Sequence, residues 1–330
     1  MTHPGKARTA LKRGALLTAA NWQVVAVQTV AETTFKLLLA VPIVGGALLV
    51  TLLLDRDIAE LLSTDLREAL FGVAAALTAH PVALVAYLMG FALVLAGGGA
   101  LMFLVKGGTV TVLARADALA GGIERPPLRL VGFRRGMQFS IEEFMQGAAR
   151  LFRRYLALGV VLTVVYVLVA IISLLSAYGL YRLGGERPLL IGSVAALALT
   201  LFVALMTVVN VLYLLTQIVV AVRDVRVAVA AGEVGRFLGG EFWKVTRVFF
   251  VTILLLVLAT VLSIAATWGF YLIAYVPIAG VIVLPLQLGA WLLRALVFQY
   301  LGLTALCAYL SLYRAFTGEQ QASGAVPAIR

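Results

Sequence analysis

Six stretches of the chain, residues 35–54, 82–105, 156–178, 189–222, 248–274 and 286–313, are nearly unbroken runs of apolar side chains, with the charged residues gathered between them. A run of about 20 apolar residues crosses a hydrocarbon core of roughly 30 Å as a helix, which satisfies its own backbone polar groups where no water can. The pattern therefore predicts an all-α, polytopic membrane protein with about six transmembrane helices. The run 189–222 is longer than a perpendicular crossing needs, so its helix must tilt, bend or project beyond the membrane. The last two runs are separated by residues 275–285, where Pro277 and Pro285 speak against one continuous helix and leave a tight turn or a short re-entrant piece.

The charges between the runs give an orientation. After the second run come Lys106, Arg115, Arg125, Arg129, Arg134, Arg135, Arg150, Arg153 and Arg154, and after the fourth come Arg223, Arg226, Arg236, Lys244 and Arg247. The alternate connections hold only Arg56 and Arg67, among five acids, and Arg182 and Arg187. Lys and Arg concentrate on the cytoplasmic side of membrane proteins, so the first set of loops is expected inside, together with the basic N-terminus at Lys6, Arg8, Lys12 and Arg13. Both termini are then cytoplasmic and the membrane is the inner (plasma) membrane. The short apolar stretch 15–20 is interrupted by Asn21 and Gln23 before it reaches the length of a signal-peptide core, so the N-terminus is expected to be that of the mature protein.

Composition agrees with the runs: 63% of the residues are hydrophobic and 12% charged, about half the charged share of a soluble domain. A net charge of +11 would point a soluble chain towards nucleic acid, but here the orientation accounts for it, and no nucleic-acid partner is expected.

Amphipathic segments precede the odd-numbered runs. Ser140, Ile141, Glu142 and Glu143 have the form of a capping box, with Phe139 and Phe144 as its hydrophobic staple, so a helix should begin at Ile141. Its apolar positions Phe144, Met145, Ala148, Leu151 and Phe152 recur at helical spacing against Arg150, Arg153 and Arg154, which predicts an interfacial helix on the cytoplasmic side. A comparable segment runs over residues 233–247 and a weaker one over 16–30 around Trp22. The organisation expected is a basic N-terminus with an interfacial helix (1–34), one six-span membrane domain (35–313) and a short flexible cytoplasmic tail (314–330), the whole reading as three units of interfacial helix plus hairpin. Gly90, Gly97, Gly98 and Gly99 in the second run, with Pro42, Gly45 and Gly46 in the first, predict a close crossing of these two helices.

Few residues can carry chemistry. Arg294 lies inside the sixth run, about 12 Å below its outer end, where a charge costs at least about 2.5 to 3.5 kcal/mol. Its side chain either snorkels to the outer interface beside Trp291 or, with Ser263 and Thr267, binds a lipid phosphate or carboxylate. Asn210 and Gln217 suit hydrogen bonds between helices, and His80 beside Pro81 suits a turn. One cysteine, Cys307, and two histidines leave no zinc site and no intrachain disulfide. Gly107 and Gly108 form no phosphate loop. No catalytic residue, cofactor or metal is expected.

The order of features resembles the YciC-like bacterial multi-pass membrane proteins and the related membrane domain found ahead of the catalytic domain in some glycerophosphodiester phosphodiesterases. The resemblance rests on the N-terminal interfacial segment, Ala96, Gly97, Gly98, Gly99 and Ala100, the charged turn Val222, Arg223, Asp224, Val225 and Arg226 with its following amphipathic helix, and a last span after Pro277 that ends at Tyr313 and Arg314. It implies a helical membrane domain and brings no phosphodiesterase activity with it. The expected function is non-enzymatic: handling lipids or apolar molecules, or supporting envelope assembly. Membrane lipids are the expected partners, anionic ones at the cytoplasmic face, with a protein partner or a second copy as the alternative in a larger transport complex and a lipid head-group enzyme as the third reading. Single-cysteine labelling in a Cys307→Ser background checks the orientation: positions 118 and 232 should label only after lysis, and positions 64 and 185 from outside intact cells.

Overall fold

The computed structural model describes residues 5–54, 79–124, 130–184, 188–274 and 277–322. They form α1 (Gly5–Ala20), α2 (Trp22–Leu54), α3 (Pro81–Leu119), α4 (Leu130–Gly136), α5 (Ile141–Gly184), α6 (Pro188–Arg223), α7 (Val227–Ala274) and α8 (Pro277–Ala322), with no strand among the described residues. The protein is all-helical. Six of these helices hold segments long and apolar enough to cross a membrane, each overlapping one of the six apolar runs.

The boundaries have local causes. His80 stands just before α3, its carbonyl accepting from the Leu84 amide at 3.1 Å. α5 begins at Ile141, with the Phe144 amide donating to the Ser140 carbonyl at 2.9 Å and the staple rings of Phe139 and Phe144 6.2 Å apart. α6 ends at Arg223 because Asp224 turns into the left-handed region at φ 54°, the conformation that closes many helices. α7 is interrupted at Glu241 (φ −124°, ψ 23°), directly after Gly239 and Gly240, whose freedom weakens a helix.

Three details differ from expectation. Residues 277–285 form neither a tight turn nor a re-entrant piece but the first turns of α8: Pro277 takes its first position, where a missing N–H is harmless, and the helix runs on through Pro285. The tail is not free from residue 314, because α8 continues to Ala322. The loop after Lys106 is largely helical, since α3 extends to Leu119 and α4 and α5 follow. Residues 55–78 and 323–330 lie outside the described residues.

Two compact units are distinguished, Val27–Val105 on one hand and Met1–Ala26 with Lys106–Arg330 on the other. In the first, α2 and α3 meet as their glycines predict. A Cβ on Gly98 would strike the ring of Phe35, and one on Gly46 would come within 2.7 Å of the ring of Tyr87, while Gly45, Gly90, Gly97 and Gly99 face open space. Two aromatic side chains, each seated in a glycine notch, set the crossing.

In the second unit the buried residues concentrate in one end of the helices. They come from α1 (Leu17), the later part of α3 (Val110, Leu113), the start of α5 (Phe144, Ala148, Leu151), the end of α6 (Leu215, Ile218), the start of α7 (Val234, Phe237) and the end of α8 (Cys307, Leu310, Tyr313). α1 lies along α8 and touches α7, and α6 bridges α5 and α7. At the amphipathic start of α5, Phe144, Ala148 and Leu151 are covered by protein while Met145 stays exposed: Gly107 and Gly108 of α3 receive Ala148 and the Phe144 carbonyl, within 3.3 and 2.7 Å of where a Cβ would stand. Beyond this packed end the spans expose rows of Val, Leu and Ile; none of the most apolar stretch of α6 is buried, against half of that in α8. Trp243 and Trp268, both exposed, are 25 residues apart on α7, about 38 Å at 1.5 Å per residue, a span comparable to the thickness of a bilayer.

The glycine notch yields a paired test. Gly98→Ala should lower the unfolding temperature in detergent because Phe35 or the backbone has to shift, whereas Gly97→Ala, which meets nothing, should leave it equal or raise it, helix propensity adding up to about 1 kcal/mol of stability. Equal responses of the two variants would remove the notch from the account.

Candidate functional site

The densest chemistry in the described residues is a set of charged ties inside the packed end. Asp117, near the end of α3, has a side chain only 4% exposed and lies between two guanidiniums. Arg13 of α1 donates from Nε to its Oδ1 at 2.6 Å, and Arg314 of α8 donates from Nη1 to its Oδ2 at 3.1 Å. Arg13 also donates from Nη2 to the Asp117 carbonyl at 2.7 Å and from Nη1 to Glu124 at 2.9 Å and to the Gly121 carbonyl. Burial alone would lower the Arg13 guanidinium, but the carboxylates of Asp117 and Glu124 outweigh it and hold it above its ordinary range.

A second tie joins α6, α7 and α8. Glu233 accepts from Arg223 Nη2 at 3.2 Å and from the hydroxyl of Tyr313 at 2.7 Å, and the Tyr313 ring stands edge-on to Phe237, centroids 5.6 Å apart. A third fixes the turn between α6 and α7, where Arg154 of α5 reaches Asp224 at 2.5 Å. The break between α1 and α2 is held by Asn21, fully buried, which donates to the carbonyls of Leu17 (2.9 Å) and Gly136 (2.8 Å) and accepts from the Gln138 amide at 3.0 Å. Around these ties Arg8, Lys12, Arg134, Arg135, Arg150, Arg153, Arg236 and Arg247 are exposed, giving this end a basic surface.

The residues singled out from the sequence fall elsewhere. Arg294 is exposed on α8, its guanidinium 5.8 Å from the ring centroid of Phe298 one turn on. Thr267 donates to the carbonyl of Ser263 at 2.8 Å, on its own helix. No hydrogen bond joins Arg294 to either of them among the described residues. Asn210 does link helices, accepting from the Tyr166 hydroxyl of α5. Gln217 links them only through its backbone, whose carbonyl accepts from Tyr155 at 3.0 Å; its side-chain Nε2 is buried without a partner.

Sequence reasoning missed Asp117, which follows the second apolar run and is not among the residues singled out. Two signals were available: Lys106, Thr109, Val110, Leu113 and Asp117 share one helical face, and the alternating charges after Lys106 do not forbid a helix. Chemically, Asp117 and Glu233 are each paired with arginines from other helices or turns, which makes them anchors of the packed end. Among the described residues, no group of three His, Cys, Asp or Glu could hold a metal ion. No known family, curated protein or solved structure matches this chain.

Removing one member of a buried ion pair leaves the other charge unpaired, so Asp117→Asn should destabilise the folded state by about 3 to 5 kcal/mol. Arg154→Met, which breaks the half-exposed pair with Asp224, should cost under about 1 kcal/mol. Equilibrium unfolding in mixed micelles measures both, and equal losses would contradict the buried node.

Proposed function

We propose that the chain is a non-enzymatic, multi-pass protein of the inner (plasma) membrane, with both termini cytoplasmic, that handles lipids or other apolar molecules or supports envelope assembly. One observation carries the reading: within the unit of Met1–Ala26 and Lys106–Arg330, the buried residues and ionic ties concentrate at the basic end, while the spans leave most of their apolar side chains uncovered. The basic end then rests on anionic lipids of the cytoplasmic leaflet, where each Lys or Arg near the surface contributes about 1 kcal/mol. Trp22 and the Phe242 and Trp243 pair, all exposed, suit the interface beside it. Membership of the YciC-like family is part of the same proposal and rests on the motif order.

The uncovered spans support a second reading, in which the chain is the membrane subunit of a larger transport complex and a partner or a second copy covers them. A proton-coupled carrier is less well supported, because Asp117 is held by two arginines. A head-group enzyme has least support, since no pair of carboxylates or nucleophile with a base is brought together among the described residues.

Purification in mild detergent followed by mass spectrometry of bound lipid and co-purifying protein decides between the first two. A tightly held lipid without a partner is the expected result. A stoichiometric second protein and no retained lipid would move the assignment to the transport complex.

A further inference from the structure

We propose that the uncovered side of α7 carries a binding site for the phosphate of a membrane phospholipid, formed by Trp243 and Arg247 where that helix enters the membrane. The site rests on the lipid-handling reading above and gives it a place and a head-group chemistry.

α7 is broken at Glu241, and from Phe242 to Ala274 it runs as one helix. At about 100° per residue, Trp243, Arg247, Phe250, Leu254, Val261 and Trp268 fall within one strip roughly 60° wide. All six are exposed, while Val245 and Val248, on the other side of the helix, are buried. The strip is therefore the side that the protein leaves to its surroundings, and Arg247 is its one charged residue.

The place of that charge along the strip fits a head group. Arg247 and Trp268 are 21 residues apart, about 32 Å at 1.5 Å per residue, close to the roughly 30 Å of a hydrocarbon core. Phe250, Leu254 and Val261 between them are apolar, so the arginine stands at the end of the apolar strip, on the side of the packed end. A long helical side chain leans back over the turn N-terminal to its own Cα, and for Arg247 that turn carries Trp243, four residues earlier. The guanidinium is thereby led out of the hydrocarbon to the level of an indole, a ring that favours the head-group region.

The chemistry selects phosphate. A guanidinium is a planar fork that holds two oxygens of a phosphate at once, and the indole N–H is a further donor beside it. The acids that precede Arg247 on α7 are engaged elsewhere: Glu241 with Lys244, and Glu233 with Arg223 and Tyr313. From Arg247 onward, Phe250 and Leu254 offer apolar surface to the acyl chains of the same lipid.

α5 supplies a comparison. Its exposed residues Leu156, Val160, Val167, Leu174 and Tyr178 follow the exposed Arg153 at helical spacing, so an arginine again opens the uncovered strip. One turn before Arg153, however, stands Ala149, where α7 has a tryptophan. The cation and the ring come together on α7.

The test uses the full chain in a non-ionic detergent with added phosphatidylglycerol or diacylglycerol, read by native mass spectrometry for retained lipid and by thermal shift. The native chain should retain phosphatidylglycerol and unfold at a higher temperature with it, and diacylglycerol, which has the tails without the phosphate, should do neither. Arg247→Gln should weaken retention about fivefold or more while the lipid-free unfolding temperature stays the same, because the side chain is exposed. Arg247→Lys, which keeps the charge without the fork, should restore only part of it. Trp243→Leu should weaken retention several-fold. Lys36→Gln removes the same charge from an exposed lysine of α2 and should change nothing. Equal retention by the native chain and Arg247→Gln, or equal losses in Arg247→Gln and Lys36→Gln, would overturn the site and leave lipid handling standing. Retention of neither lipid by the native chain would overturn both.

Discussion

A carboxylate almost sealed from water needs fixed partners to replace its hydration, and Asp117 has two guanidiniums. Its partners come from residues 13 and 314, so one acid in the middle of the sequence gathers the first and last described helices around it. The other features of the packed end depend on that gathering. Only with α1 against α8 can the Thr304 carbonyl approach Gly14 so closely and the Tyr300 hydroxyl donate to the Ala15 carbonyl at 3.0 Å.

Hydrocarbon gives helices little reason to associate through apolar surface, because a lipid tail is as apolar as leucine. Association then has to come from close packing and from polar pairs, and both are concentrated at the basic end: the glycine contacts between α3 and α5, the edge-on and tilted ring contacts of Phe237 with Tyr313 and Phe316, and the three ionic ties. Val160, Leu168, Leu199 and Leu258 are left facing outward, which in lipid is the ordinary solvated state of such a side chain.

The sequence made the spans legible because a membrane helix must carry its whole requirement locally, in some twenty consecutive residues, and the start of α5 was legible for the same reason, since Ser140, Phe139 and Phe144 lie side by side. The ties were not legible. Arg13, Asp117 and Arg314 are separated by 104 and 197 positions, and nothing in the neighbourhood of any of them names the others. Periodicity showed that Phe144, Ala148 and Leu151 share an apolar face, but a lipid surface and the glycine surface of α3 make the same demand on that face. Of the polar residues within the runs, Asn210 was read correctly because bonding between helices is the common fate of such an amide.

Asn21 and Gln217 show what distinguishes a structural amide from one with capacity to spare. Both are buried, yet Asn21 spends its amide and its carbonyl oxygen on three backbone groups that would otherwise be exposed at a helix break, so its identity follows from the backbone around it. Gln217 sits in an unbroken helix whose backbone already satisfies itself, and Tyr155 takes only its main-chain carbonyl. Its side-chain NH2 thus answers no demand made by the fold. Thr207, Asn210 and Thr216 of the same helix each donate to a carbonyl one turn back, and the buried amide of Gln217 is the exception among them.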